Sequence, residues 1–317
     1  MAEAEVSLIG HTDAERRFLR ASQASRLHHG WIIQGPSGIG KSLFVKSLAA
    51  RLLGTGDRPS SSDRQRIPPI TSLGHPDLKW IKREPNEKGV LRQDITVEQI
   101  RELNHFFALK PAMAGWRVGV VDCLDEMNLH GYNALLKTLE EPPARAILFL
   151  ISHKSVPVLP TIRSRCQILR LHTLSDSETE TVLSQFPEQA RLASQLARGR
   201  PGYGLSLAES GAAKALQAAD TLLKSISRPK TGALDDVLQS VIINQANLDA
   251  FSDHVLDWTA RQAEDKPGLA GTWLTLHRIR SQARLLNLSP AQTAGKLIAT
   301  LQKGLKMTAD QALNANT

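Results

Sequence analysis

The stretch Gly35-Pro36-Ser37-Gly38-Ile39-Gly40-Lys41-Ser42 is a complete G-x-x-x-x-G-K-[ST] phosphate loop. On its N-terminal side, Gly30-Trp31-Ile32-Ile33-Gln34 is a short apolar run that reads as a strand. On its C-terminal side, Ser42 to Leu53 carries Leu43, Phe44, Leu48, Leu52 and Leu53 at helical spacing. Strand, glycine loop and helix start are the three parts the motif needs. Glycines let backbone N–H groups turn inward around phosphate oxygens, and a helix N-terminus adds partial positive charge. Lys41 is expected to reach the β- and γ-phosphates of a nucleotide and Ser42 to hold Mg²⁺. ATP or ADP with Mg²⁺ is the expected ligand.

Working outward, the alternation of strands and helices continues. Leu78 to Ile81 reads as a strand. Thr96 to Phe107 reads as a helix, with Thr96 as N-cap and Gln99 three residues on. Arg117-Val-Gly-Val-Val-Asp122 is a buried strand that ends in a carboxylate, and Ala146 to Ile151 is another. Between them, Asn128 to Glu140 is predicted helical and is stopped by Pro142-Pro143. Such alternation means a parallel sheet with ligands at the carboxyl ends of its strands. Residues 1–29 read as a helical lead-in, and the polar, proline-rich stretch 54–75 as a surface excursion. Beyond about residue 170 the strand signal fades. Ser175 to Leu196 is predicted helical, Gly199-Arg-Pro-Gly202 breaks it, and helix follows helix from 205 to 317. The expected fold is an α/β P-loop domain over 1–170, a small helical lid domain over 171–210 and an all-α C-terminal domain over 211–317.

Composition narrows the class. The 317 residues are 41% hydrophobic and 22% charged, as in ordinary globular chains. No apolar run approaches the roughly 18 residues of a membrane span, and the N-terminus lacks the basic start and apolar stretch of a signal peptide, so a cytoplasmic location is expected. Cys123 and Cys166 are the only cysteines, too few for a four-cysteine zinc site. The net charge of +8 fits nucleic-acid contact, direct or within an assembly, and fits a solvated basic surface equally well. Aromatic residues make up only 4%, which argues against base stacking as the main mode of contact.

Two further positions bear on chemistry. Asp122 is the carboxylate expected to hold Mg²⁺ through water. The next residue is Cys123, where a hydrolytic enzyme of this kind often places a glutamate, and a thiol is a poor substitute for a carboxylate base. Asp125 and Glu126 could take that role only if the backbone returned them to the site. The sequence therefore points to nucleotide binding more strongly than to cleavage. Arg165, in Thr161-Ile-Arg-Ser-Arg-Cys166, carries a planar, permanent charge suited to a phosphate, although on spacing alone a surface ion pair is the stronger reading.

Taken together, these motifs resemble the clamp-loader branch of the AAA+ ATPases. Asn133-Ala-Leu-Leu-Lys-Thr-Leu-Glu-Glu-Pro-Pro143 and Ser164-Arg-Cys166 resemble the bacterial DNA polymerase III clamp-loader subunits. Leu8-Ile-Gly-His11, His28-His-Gly-Trp31 and Gly74-His-Pro-Asp77 resemble its delta-prime branch in particular. The resemblance covers residues 6–205. It implies a hetero-oligomeric ring with gamma/tau and delta subunits that places a sliding clamp on primed DNA, this chain acting as a stator. It implies that Arg165 is an arginine finger acting in trans, that Ser152 falls near a polar sensor position, and that Ile9 and Gly10 flank the adenine. A gamma/tau-type motor is the alternative within the same family. The chain departs from that alternative at Cys123 and at Gly202, where gamma/tau subunits carry a glutamate and a sensor arginine. Little or no hydrolysis by the chain alone is expected.

Overall fold

The computed structural model describes residues 8–23, 27–54, 75–87, 89, 91–92, 94–113, 115–153, 158–186, 190–210, 212–226, 232–285 and 288–314. Most of the polar stretch read as a surface excursion, and Gly74 of the Gly-His-Pro-Asp segment, lie outside the described residues. In chain order the elements are α1 (Thr12–Gln23), β1 (Gly30–Gln34), α2 (Lys41–Gly54), β2 (Leu78–Ile81), α3 (Val97–Ala108), β3 (Arg117–Asp122), α4 (Leu129–Glu140), β4 (Ala146–Ser152), α5 (Pro160–Arg163) and β5 (Gln167–Arg170). Helices α6 (Asp176–Leu183), α7 (Ala190–Ala197), α8 (Pro201–Glu209), α9 (Ala213–Lys224), α10 (Ala233–Val241), α11 (Gln245–Asp265), α12 (Leu269–Leu285) and α13 (Pro290–Asn314) complete the chain. The chain divides into two compact units, one of Met1–Ala190 with Ala197–Tyr203, the other of Arg191–Leu196 with Gly204–Thr317.

The first unit is built on a five-stranded parallel sheet in the order β2-β3-β4-β1-β5. Strands β1, β3 and β4 are buried along nearly their whole length, as expected when helices cover both sides. In β4, Ile147, Phe149 and Ile151 enter one core with Phe18, Trp31 and Phe44, while Leu148 and Leu150 enter the other with Ile100, Leu103 and Leu135. The P-loop fold class read from the sequence is the one observed.

Local signals account for the element ends. Thr96 and Gln99 form a reciprocal capping box at the start of α3. Asn128 caps α4 by accepting from the Gly131 N–H. Two readings need correction. Strand β5, short and with only Leu169 fully buried, was not anticipated. The single helix expected over Ser175 to Leu196 is two, α6 ending at Leu183 and α7 starting at Ala190. After α6 the Gln185 and Phe186 N–H groups donate to the Val182 and Leu183 carbonyls, a three-residue spacing that tightens the last turn and ends the helical ladder.

The second unit is helical. Leu222, Val237, Val241, Phe251, Val255, Leu276, Leu297 and Leu301 are among the residues of its core, drawn from α9 to α13. Among the described residues no helix is long and apolar enough to cross a membrane.

Candidate functional site

The parallel register gathers the residues expected to hold nucleotide at one end of the sheet. Strand β4 lies between β3 and β1, pairing Ile151 with Asp122 and Ser152 with Gln34. The phosphate loop leaves the end of β1, and Gly35 N–H donates to the Ser152 carbonyl at 3.2 Å. Gly38 (φ 81°) and Gly40 (φ 93°) take left-handed backbone that other residues adopt at a cost. Helix α2 then starts at Lys41, its first bond running from Phe44 N–H to the Gly40 carbonyl at 2.8 Å.

Lys41 is almost fully buried, at 3% exposure. Its ammonium donates to the carbonyls of Gly35 (2.9 Å) and Pro36 (2.6 Å), and burial pushes its pKa down to about 8. The carboxylates of Asp125 and Asp122 offset the burial only in part, so an incoming anion would stabilise the charge further. Ser42 Oγ donates to Asp122 Oδ2 at 2.8 Å, so the two expected Mg²⁺ ligands are already adjacent. Both are hard oxygen donors, the kind Mg²⁺ selects. The residues present therefore fit a magnesium nucleotide.

Around this centre the other expected residues take the following places. Ser152 is fully buried at the end of β4. Ile9 and Gly10 lie half-buried ahead of α1, where the neighbouring His11 ring meets the Ile39 carbonyl at 2.8 Å and Gly10 abuts Leu174. Gly202, at the start of α8, donates its N–H to the Gly38 carbonyl at 2.9 Å, so the loop apex is faced by backbone there. The Arg200 guanidinium instead stacks 4.2 Å from the centre of the Tyr203 ring.

Cys123 is buried, which raises its thiol pKa far above the usual value and keeps it neutral. Asp125 does return towards the site, but its Oδ2 accepts the His153 backbone N–H at 2.6 Å. Glu126 pairs with Arg83 at 2.8 Å. His153 was not anticipated from the sequence. Its Nδ1 is buried and makes no hydrogen bond, and burial, with the charge of Lys41, holds the ring below its usual pKa. It thus brings a neutral, unsatisfied polar atom to the same end of the sheet. Nothing in its sequence position beyond adjacency to Ser152 would have marked it.

Arg165 occupies the opposite end. It precedes β5, whose first residue Gln167 pairs with Trp31 at the start of β1. Three of the quoted motifs meet there. A β-carbon on Gly30 would lie 2.9 Å from Cys166 Sγ, 3.0 Å from Leu139 Cδ2 and 3.1 Å from the Arg165 carbonyl. The His29 ring meets the Leu139 carbonyl at 3.1 Å. Arg165 itself pairs with Glu140 at 2.9 Å. From Gly30 to Gln34 the strand advances about 13 Å at roughly 3.3 Å per residue.

Comparison with known proteins identifies the family. A family model described as "DNA polymerase III, delta subunit" matches residues 10–175, just over half of the chain. The chain belongs to the DNA polymerase III delta subunit family. The delta' subunit of Pseudomonas aeruginosa is 35% identical over 142 residues, 44% of this chain and 41% of that protein. The delta' subunit of Escherichia coli K12 is 32% identical over 197 residues, 60% of this chain and 58% of that protein. A gamma subunit from Buchnera aphidicola is 29% identical over 223 residues, 64% of this chain and 56% of that protein. The chain spans about half the length of the curated relatives it matches. Delta' and gamma subunits thus both lie within range of this delta-family chain.

Proposed function

We propose that this chain is a delta-prime-type subunit of a DNA polymerase III clamp loader, in which it serves as a stator and extends Arg165 towards nucleotide on a neighbouring subunit. The separation of Arg165 from Lys41 along the sheet carries the reading. With about 13 Å of strand between the two ends, an arginine side chain cannot reach the chain's own phosphate loop. A finger so placed can act only on another molecule. In this reading gamma/tau and delta subunits are the partners and loading a sliding clamp onto primed DNA is the activity. The organisation is a P-loop domain over 1–170, a lid over 171–210 and a collar over 211–317.

The chain's own phosphate loop holds ATP or ADP with Mg²⁺ through Lys41, Ser42 and Asp122, with Ile9 and Gly10 beside the base. Bound nucleotide would supply an anion that satisfies Lys41 and orders the loop. Cleavage by the chain alone is slow in this reading, because the carboxylates after Asp122 are engaged by His153 and Arg83 and Cys123 is neutral.

The test is clamp- and DNA-stimulated ATP turnover of a loader rebuilt with gamma/tau and delta. With assembly intact, Arg165→Ala should lower turnover at least about tenfold, since a finger contributes about 10³-fold or more at its site. An unchanged rate in an assembled ring would overturn the finger. The second reading, a self-contained gamma/tau-type motor, rests on the intact loop and the adjacent Ser42 and Asp122. It requires the isolated chain to turn over ATP at about 1 per second or faster and to lose that on Lys41→Ala.

A further inference from the structure

The Arg165 guanidinium is not idle. Its Nη2 meets Glu140 Oε1 at 2.9 Å, and its Nη1 donates to the Thr161 carbonyl at 3.0 Å and to Ser164 Oγ at 3.2 Å. Both terminal nitrogens are therefore engaged within the chain. A bidentate grip on a phosphate uses the same fork, so the fork must turn away from Glu140 before it can act. Glu140 also sits where a carboxylate is unfavourable. It is the last residue of α4, at the negative end of the helix, followed by a second carboxylate, Glu141. The guanidinium answers that misplaced charge. The rest of the corner is fixed by His29 on the Leu139 carbonyl and by the close seat of Gly30. The moving part is thus the arginine side chain, while the backbone that carries it is held.

We infer that Glu140 is a parking carboxylate for Arg165, a competitor that a phosphate on the neighbouring subunit displaces when the ring closes. The inference rests on the trans-finger reading and adds to it a regulatory residue on this chain. The pair is partly open to water, with side-chain exposures of 37% and 51%, so it is weak enough to exchange. Phosphate, with more charge and a geometry that takes both nitrogens, wins the exchange when presented at close range. In the free subunit the same pair keeps an exposed arginine from recruiting unrelated anions.

The experiment titrates the full-length chain into a loader lacking it and reads stimulated ATP turnover. Glu140→Gln should lower the concentration of chain needed for half-activation about two- to fivefold, the size expected from an exposed ion pair, and leave the plateau unchanged. Glu141→Gln removes the same charge from the same helix end and should leave both values at wild type. Combining Glu140→Gln with Arg165→Ala should match Arg165→Ala alone, because the effect passes through the arginine. A Glu140→Gln chain that activates more weakly than wild type would make Glu140 a support for the active pose and overturn parking. So would an unchanged half-activation point, or an equal response in Glu141→Gln. If Arg165→Ala itself has no effect in the assembled loader, the finger reading falls first and the parking role with it.

Discussion

Gly30 leaves no room for a side chain, and its neighbours are the residues that carry Arg165. Gly30→Ala would put a methyl group 2.9 Å from Cys166 Sγ, closer than van der Waals contact allows, so the Ser164–Cys166 turn must shift. The expected result is weaker stimulation in the rebuilt loader with nucleotide affinity of the isolated chain within about twofold of wild type, since a local packing change is confined to that end of the sheet. Equilibrium dialysis of the variant checks the second half. Asp77 gives a different lesson. It is 1% exposed, accepts the N–H groups of Ala112 (2.7 Å) and Met113 (2.9 Å), and lies 3.5 Å from Arg117 Nε. Arg117 in turn donates to the Phe106 and Lys110 carbonyls. Asp77→Ala would strand a buried guanidinium and two N–H groups, and should cost about 3–5 kcal/mol in chemical unfolding of the first unit. In the sequence, the His-Pro-Asp segment carried resemblance but no role. Its partners lie 35 and 36 residues away, so only the fold could supply one.

At the scale of elements, what could be read early had local causes. The capping box at Thr96 and the glycine loop depend on residues close in sequence, and each appears where spacing placed it, while Asn128, read as the first residue of its helix, is instead the cap in front of it. Strand β5 depends on β1 for its pairing and has polar residues at both ends, so its four residues carried too little pattern. The ion pair that spacing alone favoured for Arg165 is present, but its partner Glu140 was hidden, since it stands at the end of a distant helix. Helix α6 offers a quantitative check. Ser175 accepts the Glu178 N–H, and Glu178 Oε2 accepts both the N–H and the hydroxyl of Ser175 at 2.9 Å. Those bonds hold the Glu178 pKa below its usual 4.5. A carboxylate lowered on folding stabilises the native state above that usual value, and the contribution fades as pH falls through the lowered one. Ser175→Ala should therefore cost about 1 kcal/mol at neutral pH and less below pH 4.5. Unfolding curves of both chains across that range measure the difference.

The whole molecule has two separate cores, one pair of apolar layers on the sheet and one helical cluster drawn from α9 to α13. Unfolding of such a chain is not expected to be two-state. Calorimetry should resolve two transitions. Magnesium nucleotide at 100 times its dissociation constant should raise only the one belonging to the sheet unit, by about 2.7 kcal/mol of stability. A shift in both, or in neither, would refute the assignment of the ligand to Lys41 and its neighbours. The polarity of the sheet unit has a last consequence. Under the proposed function, Lys41 at one pole takes the chain's own phosphate and Arg165 at the other is offered to a neighbour's, as in a link with a hook and an eye. A two-fold axis would set hook against hook. Contacts made in that way would be heterologous, and would end only by closing a circle or by meeting a neighbour that lacks the matching half.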